Sequence, residues 1–174
     1  TGGYIHYNTK VFNNFYGQEE SLNTQADYEK NYVEFRDAPM PSVVSIDAAI
    51  DIFPEERRIA ASANISLINR TAQPISRFLV NIPQHTKIYD MQISGGKLGE
   101  TNPKYNVAWF ELVEPMSPGE ERAGKLSLVR AHQGFKDRSE DVTLVKNGTF
   151  INNFELFPSF GFNESYLIRD QHER

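Results

Sequence analysis

VVSIDAAIDIFPEERRIAASANISLIN, residues 43–69, holds the pattern from which the architecture can be read. In its first half Val44, Ile46, Ala48, Ile50 and Ile52 fall on one face, with Ser45, Asp47 and Asp51 on the other. After FPEERR the alternation resumes, and Ile59, Ala61, Ala63, Ile65 and Leu67 share a face. A period of two belongs to a strand with one buried side, because successive side chains point to opposite faces of a sheet. The proline-led, charged FPEERR reads as a turn, so the stretch predicts two long strands folded back on each other.

The same period continues outward. After the turn NRTAQP come two further strands, ISRFLVNIP and TKIYDMQIS, and then a loop, SGGKLG. NVAWFELV is a fifth strand, PMSPGEE a tight turn and RAGKLSLVRA a sixth strand. In DVTLVKNGTFIN the Asn147-Gly148 pair sits between two β-prone runs, the signal for a type I′ hairpin. Short strands with turn signals at this spacing predict a mostly β chain, an antiparallel β-sandwich. Residues 8–36 read differently. There Val11, Phe15, Leu22, Tyr28, Tyr32 and Phe35 recur at helical spacing, with Gly17 as an interruption, so one helix or two shorter ones fit equally. DAPMP, residues 37–41, stops any helix, because proline disfavours helical geometry at and before itself.

Composition narrows the function classes. A chain of 174 residues is long enough for one well-buried core. The net charge of −5 and the absence of a basic stripe argue against nucleic acid, which is held by clustered Lys and Arg. The densest basic pair, Arg57 and Arg58, follows Glu55 and Glu56 and is locally neutral. With no cysteine there is no disulfide, no thiolate metal site and no cysteine nucleophile. Asn64, Asn69, Asn147 and Asn163 begin N-x-S/T sequons. The chain begins Thr1-Gly2-Gly3 without an initiator Met, which reads as a segment of something longer.

No constellation for catalysis emerges, and no catalytic or metal-ligating residue is assigned. His6, His85, His132 and His172 are separated by tens of residues, and the zinc-peptidase pattern H-E-x-x-H is missing. SGGKLGET lacks the spacing of a phosphate loop, and no G-x-S-x-G elbow is present. The paired carboxylates Glu55/Glu56 and Glu120/Glu121 fall in predicted turns and read as solvated. Trp109 lies in an alternating strand and reads as core.

The segment NGTFINNFELFPSFGF, residues 147–162, holds five phenylalanines. Phe150 belongs to the hairpin's inner face. Phe154, Phe157, Phe160 and Phe162 follow at spacings of three, three and two, which suit neither a sheet face nor a helix stripe, and Pro158 breaks any regular element between them. Two readings stay open. The segment lies across the open end of the sandwich, or it is an exposed apolar patch awaiting a neighbour.

These motifs together carry a resemblance. The series VVSIDAAIDIFPEERRIAASANISLINRT, ISRFLVNIP and ELVEPMSPGEERAGKLSLV resembles the amino-terminal β-sandwich domain of the aminopeptidase N-like zinc metallopeptidases. YNTKVFN, QADYEKNY and NGTFINNFELFPSFGF resemble more narrowly the group in which that peptidase unit is fused behind the permease of a bacterial ABC transporter. The likeness runs from about Tyr7 to Phe162, carried by the order and spacing of the motifs.

The resemblance implies three parts: a helical membrane-proximal lead-in over 1–40, the sandwich over 41–162, and from 163 the start of a linker to a separate catalytic domain. It implies a place on the extracytoplasmic, periplasmic face of the bacterial inner membrane. It also implies zinc in the catalytic domain and none in this chain. The partners implied are that catalytic domain, the transporter's membrane domain, its ATPase subunit and a peptide substrate. An aromatic-rich start (Tyr4, Tyr7, Phe12, Phe15, Tyr16) suits a membrane interface, or equally the apolar face of the first helix. Relatives place a substrate-binding polar residue before an F-P-x-F-like element, here Phe157-Pro158-Ser159-Phe160. Asn152, Asn153 and Glu155 precede it, and Glu155, the only carboxylate, suits a charge-assisted bond to an ammonium group. Phe154, Phe157, Phe160 and Phe162 would form the domain interface. The competing expectation is an independent extracytoplasmic module that binds a protein or glycan, with an exposed aromatic such as Trp109 as its tool.

Overall fold

The computed structural model describes residues 18–131, 144–145, 148–149 and 153–164. Two four-stranded antiparallel sheets face each other. Strands β1 (Ser42–Phe53), β2 (Arg58–Ile68), β7 (Glu121–Ala131) and β4 (Thr86–Ile93) form one, in the order β1-β2-β7-β4. Strands β10 (Ser159–Phe160), β3 (Ile75–Asn81), β6 (Val107–Met116) and β5 (Gly96–Leu98) form the other, in the order β10-β3-β6-β5. β8 (Leu144–Val145) and β9 (Gly148–Thr149) pair separately. Among the described residues the chain is an antiparallel β-sandwich preceded by the helix α1 (Gln18–Tyr32) and a 3-10 turn at Val33–Phe35.

The stretch from 43 to 69 folds as its period demands. Ile46, Ala48, Ile50 and Ile52 stand opposite Ile65, Ala63, Ala61 and Ile59, all on the inward face. Pro54–Glu56 forms a 3-10 turn that ends on Arg57 in left-handed geometry, and Arg58 pairs with Glu56 at 2.8 Å. A bulge at Val44 interrupts the alternation, since Val43 opposes Leu67 and Ser45 opposes Ser66. The core between the sheets takes Ile59, Ile65 and Leu67 from β2, Leu126 and Leu128 from β7, Phe78 and Val80 from β3, and Phe110 and Leu112 from β6, with the Phe78 and Phe110 rings stacked 5.2 Å apart.

Four expectations change in detail. SGGKLG is not wholly loop: Gly96–Leu98 pairs with β6 as a short edge strand. Its glycine is what hides it, because a side chain at Gly96 would strike the Phe110 ring and the Glu111 carbonyl. In the terminal hairpin Val145 opposes Gly148, so Gly148 stands in the ladder rather than at the centre of the turn; Asn147 lies outside the described residues. Trp109 is not between the sheets. It stands on the outer face of the second sheet, half-buried, edge-on to Phe35 at 4.9 Å and beneath the Arg77 guanidinium at 4.5 Å. Glu120 is no free turn carboxylate: it accepts hydrogen bonds from the Ser117 amide at 2.7 Å and from Arg122 at 2.7 Å.

Helix α1 explains the displaced tryptophan. Tyr28, fully buried, and Tyr32 pack with Tyr105 and Val107 on that outer face, making a second, aromatic core. The second sheet is therefore covered on both sides, which is why FLVN in β3 does not alternate. The helical sequence from 8 to 17 lies outside the described residues.

Candidate functional site

The segment Glu155–Asn163 threads through both cores. The short helix α2 (Asn153–Leu156) is tied down where buried Arg130 donates to the Glu155 carbonyl at 2.6 Å. Leu156 and Phe157 enter the main core, and Phe160 meets Phe78 edge-on at 5.2 Å. As β10, Ser159 and Phe160 pair with Asn81 and Val80, and the Gly161 amide continues the ladder to the Leu79 carbonyl at 2.9 Å. Gly161 then turns the chain in left-handed geometry (φ 92°), against Met40. The turn carries Phe162 over the sheet edge to Tyr28, with ring centroids 5.3 Å apart, and the Asn163 amide donates to the Tyr28 hydroxyl at 3.0 Å.

Of the residues singled out from sequence, Phe157 is buried, Phe160 and Phe162 are half-buried, and Glu155 is half-buried with its backbone engaged by Arg130. Asn153 opens α2 and Phe154 follows it. Their side chains, and all of Asn152, lie outside the described residues. The phenylalanines therefore do not share one face: Phe157 goes inward, Phe160 lies at the rim, and Phe162 lies on the helix side.

Sequence reasoning missed the residues that hold this segment. Asn81 is buried and donates to the Gly161 carbonyl at 2.8 Å, which caps β10. A polar residue ending an apolar strand run was its only signal. Tyr28 joins α1 to the exit turn. Lys104 pairs with Asp27 across from α1; the pairing holds the Asp27 carboxyl below its ordinary range and pushes the Lys104 ammonium up. Burial raises the Tyr32 phenol, against a hydrogen bond from Asn102 that lowers it. These shifts accompany structural contacts in an aromatic joint.

Beside the exit turn, Arg36–Met40 and Arg70–Gln73 border an open cleft of about 480 Å³, and Arg36 reaches Glu164 at 3.1 Å. Among the described residues no three His, Asp or Glu side chains come together as metal ligands, and no helix is long and apolar enough to cross a membrane. The arrangement can hold and aim a chain segment; among the described residues it offers zinc no donor set.

Comparison with solved structures finds the crystal structure of an M1 zinc metallopeptidase from Deinococcus radiodurans similar, with a TM-score of 0.44 and 18% identity over 53% of this chain and 21% of that one. A variant of that enzyme bound to a Tyr-Ser-Ala substrate is similar at a TM-score of 0.44 and 17% identity, covering 59% and 23% of the two chains. A two-domain M1 zinc metallopeptidase variant bound to L-tryptophan is similar at 0.45 and 17%, covering 60% and 23%. The chain thus overlaps less than a quarter of each of these enzymes. No family model matches it, and no curated protein does.

Proposed function

We propose that this chain is the non-catalytic amino-terminal domain of a membrane-anchored, aminopeptidase-like zinc metalloprotein associated with an ABC transporter, on the periplasmic face of the bacterial inner membrane. Its part is to wall one side of the peptide-binding cleft of a neighbouring catalytic domain, which carries the zinc. The observation that carries this reading is the placement of Phe157-Pro158-Ser159-Phe160. The element that resembles the family's entry to the catalytic domain is built into the sandwich as β10, with Arg130 holding Glu155 before it and Asn81 and Tyr28 holding Gly161 and Asn163 after it. A segment so anchored gives the chain beyond it a fixed direction.

On this reading residues 1–40 are the membrane-proximal lead-in, 41–162 the sandwich, and 163 onward the linker. On the same reading Asn152, Asn153 and Glu155 are the candidate substrate contacts, of which Glu155 can accept from a substrate ammonium group. Phe154, Phe160 and Phe162 supply contacts to the catalytic domain, and Phe157 holds the segment from within. The transporter's membrane domain and ATPase subunit are the partners on the other side.

The test compares the complete protein with the isolated 174-residue chain. The complete protein should carry zinc in a domain adjoining this one, and Phe162→Ala should lower the temperature at which the two domains unfold together. Hydrolysis of aminoacyl anilides by the isolated chain, or a complete protein with no zinc-peptidase-like domain beside this one, would overturn the reading.

A further inference from the structure

We infer that the outer edge of β1, which no described strand pairs with, is a pairing surface for a second copy of this chain, which joins two sandwiches through an antiparallel β1–β1 ladder. Among the described strands, the other edges carry devices against such pairing. β5 and β10 are three and two residues long, and β4 is broken by a bulge between Ile88 and Asp90 and carries Lys87. β1 has none of these over its central run. It is twelve residues long, free of lysine and proline, and hydrogen-bonded to β2 on one side.

The inward face of β1 is also poorly covered. The β4 and β5 edges of the two sheets meet, so β1 and β10 share the opposite, open side of the sandwich. A two-residue strand cannot roof a twelve-residue one. Val43, Val44, Ile46, Ile50 and Ile52 consequently remain 37–47% exposed, although Ile46, Ile50 and Ile52 stand on the same face as the buried row of β2. That strip is on the order of 300–400 Å², within the range of the largest apolar patch on a typical monomer, which is often functional.

The pattern of β1 selects a second copy as the occupant and sets the register. With Ala48 opposite its own counterpart, Ile46 faces Ile50 of the other copy, Asp47 faces Ala49 and Ser45 faces Asp51. Apolar meets apolar on the inward face, and no like charges stand directly opposite. The regular run Ser45–Asp51, clear of the bulge, is centred on Ala48. Moving the centre by one residue to Ala49 sets Asp47 against Asp51 twice, which is destabilising. Centring between Ala48 and Ala49 sets isoleucines against aspartates.

The test uses the purified 174-residue chain, whose lack of cysteine makes single-cysteine variants clean reporters. Sedimentation equilibrium should show a reversible dimer in the micromolar range. It should tighten with added salt, which screens the four aspartates gathered on the outer face. Ile46→Lys, at a position 37% exposed, should weaken the dimer at least ten-fold. Under mild oxidation Ala48→Cys should form an intermolecular disulfide, because opposed residues in a ladder lie within disulfide reach, while Val113→Cys, 86% exposed on β6, should not. A chain that stays monomeric at several hundred micromolar overturns the inference. So does a dimer indifferent to Ile46→Lys, or equal cross-linking through Val113→Cys. None of these outcomes bears on a neighbouring zinc domain, so the two proposals fail separately.

Discussion

Gly161→Ala is the sharpest probe of how the exit segment is held. Gly161 sits at φ 92°, and a Cβ there would land on Met40 Sδ. The two penalties differ in kind. Left-handed backbone costs a residue with a Cβ about 1–2 kcal/mol. The clash is with a flexible side chain that is 42% exposed, so Met40 can swing out for the cost of a poorer rotamer, about 0.5–1.5 kcal/mol. The expected loss is therefore about 1.5–3.5 kcal/mol. In urea, with m near 2 kcal/mol/M for a domain of this size, the midpoint should fall by about 0.8–1.8 M.

Because the two penalties are separable, a double-mutant cycle divides them. Met40→Ala alone should cost little, since much of that side chain faces water. Added to Gly161→Ala, it should recover only the rotamer share and leave about 1–2 kcal/mol that no trimming of neighbours relieves. The Tyr28 environment should report the same event, because Gly161 aims Phe162 at that ring. Full rescue by Met40→Ala, or a Gly161→Ala loss below about 0.5 kcal/mol, would refute the claim that left-handed geometry steers the chain here.

Asn69→Ala should destabilise the chain by about 3 kcal/mol in the same assay, because the fully buried amide donates to the Met116 and Gln73 carbonyls and accepts from Thr71; a loss below about 1 kcal/mol would show that water takes over these roles. The same burial means that the Asn69 sequon accepts no glycan on the folded chain. Glu120 is held below its ordinary 4.5 by Arg122 first and by the Ser117 amide second. A depressed carboxyl gives stability that is present above its unfolded pKa and lost as pH falls through its folded one. The stability gap between wild type and Glu120→Gln should therefore be constant near neutrality and narrow below about pH 4.5; a gap that does not change with pH would rule out the charged clamp.

How much of this was legible beforehand depends on how many faces a strand buries. β1, β2 and β7 have water on their outer side, so period two is plain in their sequences, and the turn of β1 back onto β2 followed from it, whereas the β2–β7 pairing did not. β3 and β6 lie between two cores, and with Leu79 buried opposite Trp109 on the far face, alternation carries no information there. Trp109 was misplaced for that reason: an alternating strand identifies two faces but not what covers the second. The Pro118-Gly119 turn was legible through its chemistry, since Gly119 at φ 78° and the Glu120-to-Ser117 hydrogen bond make the type II pattern that Pro-Gly prescribes. The partners of Asn81, Arg130 and Tyr28 were not legible, although Tyr28 was read as part of the helical apolar series. Each acts on a residue far along the chain, and no local period announces that.

The phenylalanine spacing that fitted no regular element is explained by the segment's changes of surroundings. Phe157 serves the core between the sheets, Phe160 the rim of the second sheet, and Phe162 the aromatic core beneath α1, so three successive phenylalanines answer to three different environments. A segment of this kind stitches layers together. Weakening it should loosen α1 from the sandwich before it disturbs β2 and β7, whose ladder runs on regardless. It also separates the two proposed surfaces. The chain leaves on the helix side of the second sheet, through Phe162 and Asn163, whereas β1 is the edge of the first sheet. A partner guided by the exit segment and a second copy paired along β1 therefore approach the open side from different sheets, and occupation of one leaves the hydrogen-bonding edge of the other untouched.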